Sequence, residues 1–317
     1  MWFLWLAVVI LFLVLLTAWI CYRMAFFAVK EKRPSQDEYP IPPGKIYEPY
    51  RDTMVQWMKE VRAMAPQTVS ITSHDGLKLW GSYYEFAPGA PIELMFHGYR
   101  GSAERDLCGG VQRCFALGRS ALLVDQRTSG RSDGHVITFG IQEHRDCLRW
   151  VDFMVSHFGK DVKIILTGIS MGAATVLLAA GNPLPKQVVG VLADCGYTSA
   201  KEMICKTIGE MCLPPALLYP FVKLGARLYG RFDLEEVTPL EAVKNCTVPV
   251  IFFHGEDDQF VPCEMSRRNF DVCPAPKTLV TIPGAGHGLS YPKDPEAYLH
   301  AAASFFTENG VPTEIVS

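Results

Sequence analysis

No charged side chain occurs in the first 22 residues, Met1 to Tyr22, and Thr17 is the only clearly polar residue among them. Such a start excludes an ordinary solvated N-terminus and points to a membrane. No other stretch reaches 18 uncharged apolar residues, which excludes a bundle of spans. Net charge is nearly absent as well: 30 Lys and Arg stand against 33 Asp and Glu, for −3 overall. Binding driven by nucleic-acid phosphates needs a basic excess, so no nucleic-acid partner is expected. The 26 glycines and 22 prolines follow no fixed period and no internal repeat is found, which excludes collagen-like and solenoid chains. There is no HExxH, CxxC, Walker A or dinucleotide fingerprint, so neither a metal nor a cofactor is expected. The ten cysteines are scattered from Cys21 to Cys273, without the compact spacing of a small disulfide framework.

What is present describes a folded chain with one anchor. The apolar set is 49% of the residues and charged residues only 20%, which excludes disorder. As a helix, the first 22 residues span about 33 Å, enough for a hydrocarbon core of roughly 30 Å. Trp2, Trp5, Trp19 and Tyr22 lie toward its two ends, where amphipathic rings favour the interface. A cleaved signal peptide would show a basic start and small residues at a cleavage site. Neither is found, so residues 1–22 are expected to stay as a single transmembrane anchor. Arg23, Lys30, Lys32 and Arg33 follow the span against one acid, Glu31. That asymmetry predicts a cytoplasmic domain. Residues 23–49, with Pro34, Pro40, Pro42, Pro43 and Pro49, read as a linker that holds the domain off the bilayer. Residues 50–317 are the expected domain.

Within that domain Met54, Trp57, Met58 and Val61 share one face of a helix over 50–64. Val69 and Ile71, the Asp75-Gly76 turn, then Leu77 and Leu79 predict a β-hairpin. Short apolar runs follow at 92–96, 121–124, 162–166, 188–193, 248–253 and 278–282. They alternate with helix-like stretches at 103–117, 140–158 and 171–181. Strands alternating with helices predict an α/β fold with a largely parallel sheet covered on both faces. Residues 199–235 interrupt the rhythm with Met203, Ile204, Ile208, Leu217, Phe221 and Val222. They are either packing helices or a cap over a site.

Gly168-Ile169-Ser170-Met171-Gly172 joins the run Ile164–Leu166 to the small residues Ala173 and Ala174. A serine on a tight strand-to-helix turn projects its hydroxyl above the sheet, and glycines on either side leave room for the turn. A buried serine that merely caps a helix would have the same spacing. A nucleophilic serine needs a base, and the base an orienting carboxylate. His287 lies in the loop Pro283-Gly284-Ala285-Gly286-His287-Gly288, just after the run 278–282. Asp258 follows the run 248–253, with Glu256 and Asp257 as rivals. The chain order Ser170, Asp258, His287 is the one expected of a serine elbow on this sheet type. All three fall at the carboxyl ends of strands, where open α/β sheets hold their sites. An oxyanion hole would use the amide after the serine, Met171, and one after an earlier strand, Tyr99. His97 and His254 each precede a glycine at a strand end and read as structural.

Together these segments resemble the α/β-hydrolase superfamily over residues 67–308. The resemblance is carried by His97-Gly98-Tyr99-Arg100-Gly101-Ser102, Asp125-Gln126-Arg127-Thr128-Ser129-Gly130-Arg131-Ser132, the serine elbow, Asp194-Cys195-Gly196-Tyr197-Thr198-Ser199, and the acid and histidine loops. Within the superfamily the chain is similar to membrane-anchored bacterial hydrolases of the serine-aminopeptidase-like and monoacylglycerol-lipase-like branch. Thr128 stands where that family usually has glycine. The resemblance implies an eight-stranded sheet with a cap after the sixth strand, at 199–235. It also favours Asp258 as the acid, three residues before Val261-Pro262. Cys195 reads as a buried thiol acting as a small hydrophobe. His254-Gly255-Glu256 with Pro262-Cys263 approaches a zinc deaminase signature, but Ser266 stands where the second cysteine belongs. The expected activity is hydrolysis of an ester through an acyl-enzyme. A small-molecule acyl compound is the expected substrate, with lipids among the candidates. A peptidase, thioesterase, acyltransferase or non-catalytic binder on the same fold is the alternative.

Overall fold

The computed structural model describes residues 1–29, 35, 37–311 and 313–316. Lys30, Glu31, Lys32, Arg33 and Pro34, which entered the orientation and linker expectations, lie outside the described residues.

Eight strands form one sheet: β1 (Gln67–Thr72), β2 (Lys78–Tyr84), β3 (Ile92–Phe96), β4 (Ser120–Asp125), β5 (Ile164–Ile169), β6 (Val188–Asp194), β7 (Val250–Gly255) and β8 (Lys277–Ile282). Their order is β1-β2-β4-β3-β5-β6-β7-β8. The hairpin β1–β2 and the pair β2–β4 are antiparallel, and every later pairing is parallel. Ser73 and Gly76 close the hairpin: the Leu77 amide donates to Ser73 Oγ, and Gly76 sits at φ +90°. The central strands are buried on both faces, as their unbroken apolar runs require. On one face Leu94, Leu166, Val191 and Phe252 pack under Trp150 and Met154 of the helix Glu143–Phe158. On the other, Ile165, Leu192, Ile251 and Phe253 meet Tyr298 and Phe306 of the helix Pro295–Glu308. Glu93 of β3 is fully buried between Arg113 and Arg119, at 2.6 and 2.7 Å. Burial alone would raise its carboxyl pKa, but the two guanidinium groups bring it down to about 2.

Several boundaries differ from the periodicity: the run from Val248 becomes a strand only at Val250 and the helix expected from 140 begins at Glu143, and two further differences have a visible cause. The strand expected from Val162 begins at Ile164, because Val162 closes a turn on Gly159. The helix expected over 103–117 is broken into Ala103–Asp106 and Gly110–Ala116. Gly109 and Gly110 mark the second start, where an added Cβ would lie 2.8 Å from the Trp57 ring and 2.5 Å from Met95.

One described helix, α1 (Trp2–Ala25), is long and apolar enough to cross a membrane. Its far end does not stand away from the rest of the chain. Ala18 and Tyr22 pack on the helix Pro215–Gly225, which follows Ala200–Glu210 in the insertion after β6. A Cβ on Gly225 would fall 2.4 Å from the Ala18 carbonyl. Past the helix, Phe27 bridges to Val136, and Ala28 donates to the His135 carbonyl. The expected linker over 23–49 therefore differs from a free spacer: its described parts pack on the body. Pro42 to Tyr47 precede α2 (Arg51–Ala63) and form a wall of the cavity described next. The insertion packs in two directions, Tyr219 and Val222 against α1 and Met203 against Met171 and Val261, and none of residues 199–235 lines the cavity that opens on Ser170.

Candidate active site

Ser170 sits between β5 and the helix Met171–Ala180 at φ +56°. A non-glycine residue holds this conformation only when its surroundings impose it. Here the Ser170 amide donates to the Asp194 carbonyl at 2.9 Å. The flanking glycines are obligatory: a Cβ at Gly168 would lie 2.1 Å from the Gly172 carbonyl, and one at Gly172 would lie 2.0 Å from that of Phe96.

The carboxyl ends of β7 and β8 bring two further groups to the serine. His287 Nε2 is 2.9 Å from Ser170 Oγ, and His287 Nδ1 is 2.6 Å from Asp258 Oδ2. The other Asp258 oxygen accepts from the Phe260 and Val261 amides at 2.9 and 2.8 Å. Burial would raise the Asp258 pKa, yet hydrogen bonds from His254 and His287 and the Val261 amide overcome it and lower it to about 2. It is an ionised carboxylate at neutral pH. Glu256 and Asp257 are exposed, and Glu256 bonds Thr281 instead. Phe260 meets the edge of the His287 ring at 5.0 Å and is 44% exposed, at the mouth of the site.

Among the described residues, the Met171 and Tyr99 amides have no hydrogen-bond partner. Both follow strand ends beside Ser170, and the backbone of Gly98 comes so close that a Cβ there would be 3.5 Å from Ser170 Cβ. The loop carrying Tyr99 is held from below. The Gly98 amide donates to Asp106 Oδ2, His97 Nδ1 pairs with the Gly98 carbonyl, and His97 Nε2 accepts from the Gln126 amide.

A cavity of about 650 Å³ opens on Ser170 and His287. Ile46, Met54, Trp57, Leu107 and Cys108 give it an apolar wall. A larger cleft of about 1270 Å³ lies along the other side of the Tyr99 loop and reaches Met171, but neither Ser170 nor His287 lines it. Cys195 is fully buried, and burial pushes its thiol pKa well up, so it stays protonated. Its sulfur lies within 4.8 Å of donor atoms of Asp258 and His287, which are already bonded to each other.

Some of this escapes the sequence. His254, fully buried, lies 3.3 Å from Asp258 and also bonds Ser266 and the Val261 carbonyl, so it supports the acid as well as the loop. Tyr47 donates to the His287 carbonyl at 3.0 Å. No spacing signals either contact.

A model of the alpha/beta hydrolase family matches residues 94–301. An uncharacterised protein of Bacillus subtilis, YqkD, is 29% identical over 199 residues, covering 62% of this chain and 65% of that one. The chain thus spans just under two thirds of YqkD. The polyketide transferase ATR5 of Stachybotrys chlorohalonatus is 34% identical over 274 residues, covering 71% and 90% of the two chains. Among solved structures, the Pyrococcus furiosus esterase PF2001 superposes with a TM-score of 0.64 at 22% identity, covering 85% of this chain and 96% of that one. The chain belongs to the alpha/beta hydrolase family.

Proposed function

We propose that this hydrolase cleaves carboxylic esters through an acyl-enzyme on Ser170. The observation that carries the proposal is the unbroken hydrogen-bond line from Ser170 Oγ through His287 to Asp258. His287 Nε2 takes the hydroxyl proton as Oγ attacks the carbonyl carbon. Asp258 holds the ring with Nδ1 protonated and stabilises the imidazolium. The Tyr99 and Met171 amides receive the oxyanion. The imidazolium then protonates the departing alkoxide, and a water repeats the sequence to release the acid. The apolar wall of Ile46, Met54, Trp57 and Leu107 suits an acyl chain better than a charged peptide.

A second outcome of the same acyl-enzyme has one observation in its favour, the 34% identity to a polyketide transferase. There an alcohol or thiol acceptor replaces water. Residues 1–22 are proposed as the single membrane anchor of a domain over 50–317 with its cap at 199–235. Arg23, retained on the domain side of α1, favours a cytoplasmic domain.

The test is a series of p-nitrophenyl esters from two to twelve carbons, with and without an alcohol acceptor. Ser170→Ala should lower kcat on the order of 10⁶-fold. Wild-type rates in that variant would overturn the proposal, and a flat profile across chain lengths would overturn the acyl pocket.

A further inference from the structure

The last turn of α1 ends against the loop that carries Tyr99. A helix leaves its final carbonyls without intrahelical donors, and they must find partners elsewhere. Here the body supplies them. Tyr99 Oη donates to the Ala25 carbonyl at 2.8 Å. Arg100 Nη2 donates to the Met24 and Phe27 carbonyls at 2.7 and 3.1 Å. The Ile137 amide donates to the Phe26 carbonyl at 2.8 Å. Arg100 also places a cation at the negative end of the helix dipole. It does so from φ +51°, a conformation that its side-chain and backbone contacts must maintain.

Ring packing runs along the same path. Phe26 is fully buried and meets Phe139 at 5.9 Å and Phe232 at 5.2 Å, and Phe139 meets Tyr99 at 5.0 Å. One aromatic chain therefore links the end of α1, the Tyr99 loop and the end of the insertion. Tyr99 has two separate parts to play. In the mechanism proposed above its amide binds the oxyanion, while its phenol is tied to the membrane-length helix.

We propose that the C-terminal turn of α1 is a positioning element of the active site, fixing the oxyanion-binding amide of Tyr99 through the Tyr99 and Arg100 side chains. The proposal rests on the acyl-enzyme mechanism above. An oxyanion donor acts only when aimed at the place where charge develops, so loosening the loop should weaken the transition state more than the bound substrate. Tyr99 and Arg100 also line the cavity that opens on Ser170; as positioning residues they would change kcat with KM held, whereas a substrate contact would move KM.

The experiment uses the full chain in detergent micelles, with Tyr99→Phe, Arg100→Gln and the double variant. Tyr99→Phe removes one oxygen and keeps the ring on Phe139. With p-nitrophenyl butyrate the double variant should lose about tenfold in kcat, with KM within twofold of wild type. The inhibition constant of a trifluoromethyl ketone, a tetrahedral analogue, should rise by the same factor. Arg100→Lys, which keeps the cation at the helix end, should recover part of the loss. Should the double variant unfold, Tyr99→Phe alone carries the test, with about a threefold loss expected. Amide exchange of residues 98–101 should also quicken in the variants while β3 stays protected. Unchanged kcat, inhibitor affinity and loop exchange would overturn the proposal. A wild-type protein whose Ser170 takes no fluorophosphonate would instead sink the mechanism beneath it.

Discussion

The serine elbow and the N-terminal fifty residues are built by opposite means. At the elbow a few neighbouring residues settle everything. Gly168 and Gly172 are required by contacts of 2.1 and 2.0 Å that any Cβ would make, and the strand and helix on either side leave Ser170 one place to stand. The N-terminal region is held by partners far away in the chain. Tyr99 reaches back 74 residues to Ala25, Tyr229 bonds the Leu15 carbonyl 214 residues earlier, and Tyr47 bonds His287 from 240 residues before it. The local region determines which chemistry is available. The distant one wraps that chemistry with a wall and a support.

Substitutions can break this contrast, beginning at the site. Asp258→Asn leaves the shape but removes the charge that orients His287, and kcat should fall on the order of 10⁴-fold. The same variant reports on stability. The Asp258 pKa is about 2 in the fold, below the ordinary carboxylate value of about 3.9. Its contribution, about 2–3 kcal/mol, is fully present above the ordinary value and lost as pH falls through about 2. Urea unfolding between pH 5 and 2 should show a steeper loss in the wild type than in the Asn variant, which keeps the slope due to Glu93. Gly172→Ala tests the steric basis of the elbow. It should cost about 3 kcal/mol or more in the urea midpoint, because the Phe96 carbonyl belongs to a central strand and cannot retreat.

The long-range region should respond more gently. Tyr47→Phe removes one hydrogen bond to the His287 loop and should cost about 1 kcal/mol, with a threefold to tenfold loss of kcat. If it cost as much as Gly172→Ala, the N-terminal segment would be as structural as the elbow and the contrast would fail. The smallest effect is expected at Thr128, which holds φ +75°. A β-branched residue is strained there, whereas glycine is not. Thr128→Gly should leave activity unchanged and raise Tm by about 1–3 °C, since relief of strain slightly exceeds the added freedom of the unfolded chain.

The same contrast explains what could be read from the sequence. The strands were legible because burial on both faces demands continuous apolar runs, and the hairpin because Asp75-Gly76 separates two alternating segments. Ser170, Asp258 and His287 were legible because each follows such a run in a short loop. Thr128 was visible as a departure from glycine, and its positive φ supplies the reason that glycine is usual there. The break at Gly109-Gly110 was missed because its cause is contact with Trp57 and Met95, not helical periodicity. His254 beside Asp258 and the packing of the described residues within 23–49 were missed for the same reason. A proline-rich stretch looks like a spacer until the surface that receives it is known.

Ser170 as the nucleophile of a serine hydrolase can be tested by treating the full chain with a fluorophosphonate and mapping the adduct by mass spectrometry. A single adduct is expected on Ser170, formed rapidly in the wild type, slowed at least a hundredfold by His287→Ala and absent in Ser170→Ala. Labelling at another residue, or none at all in the folded wild-type protein, would contradict it.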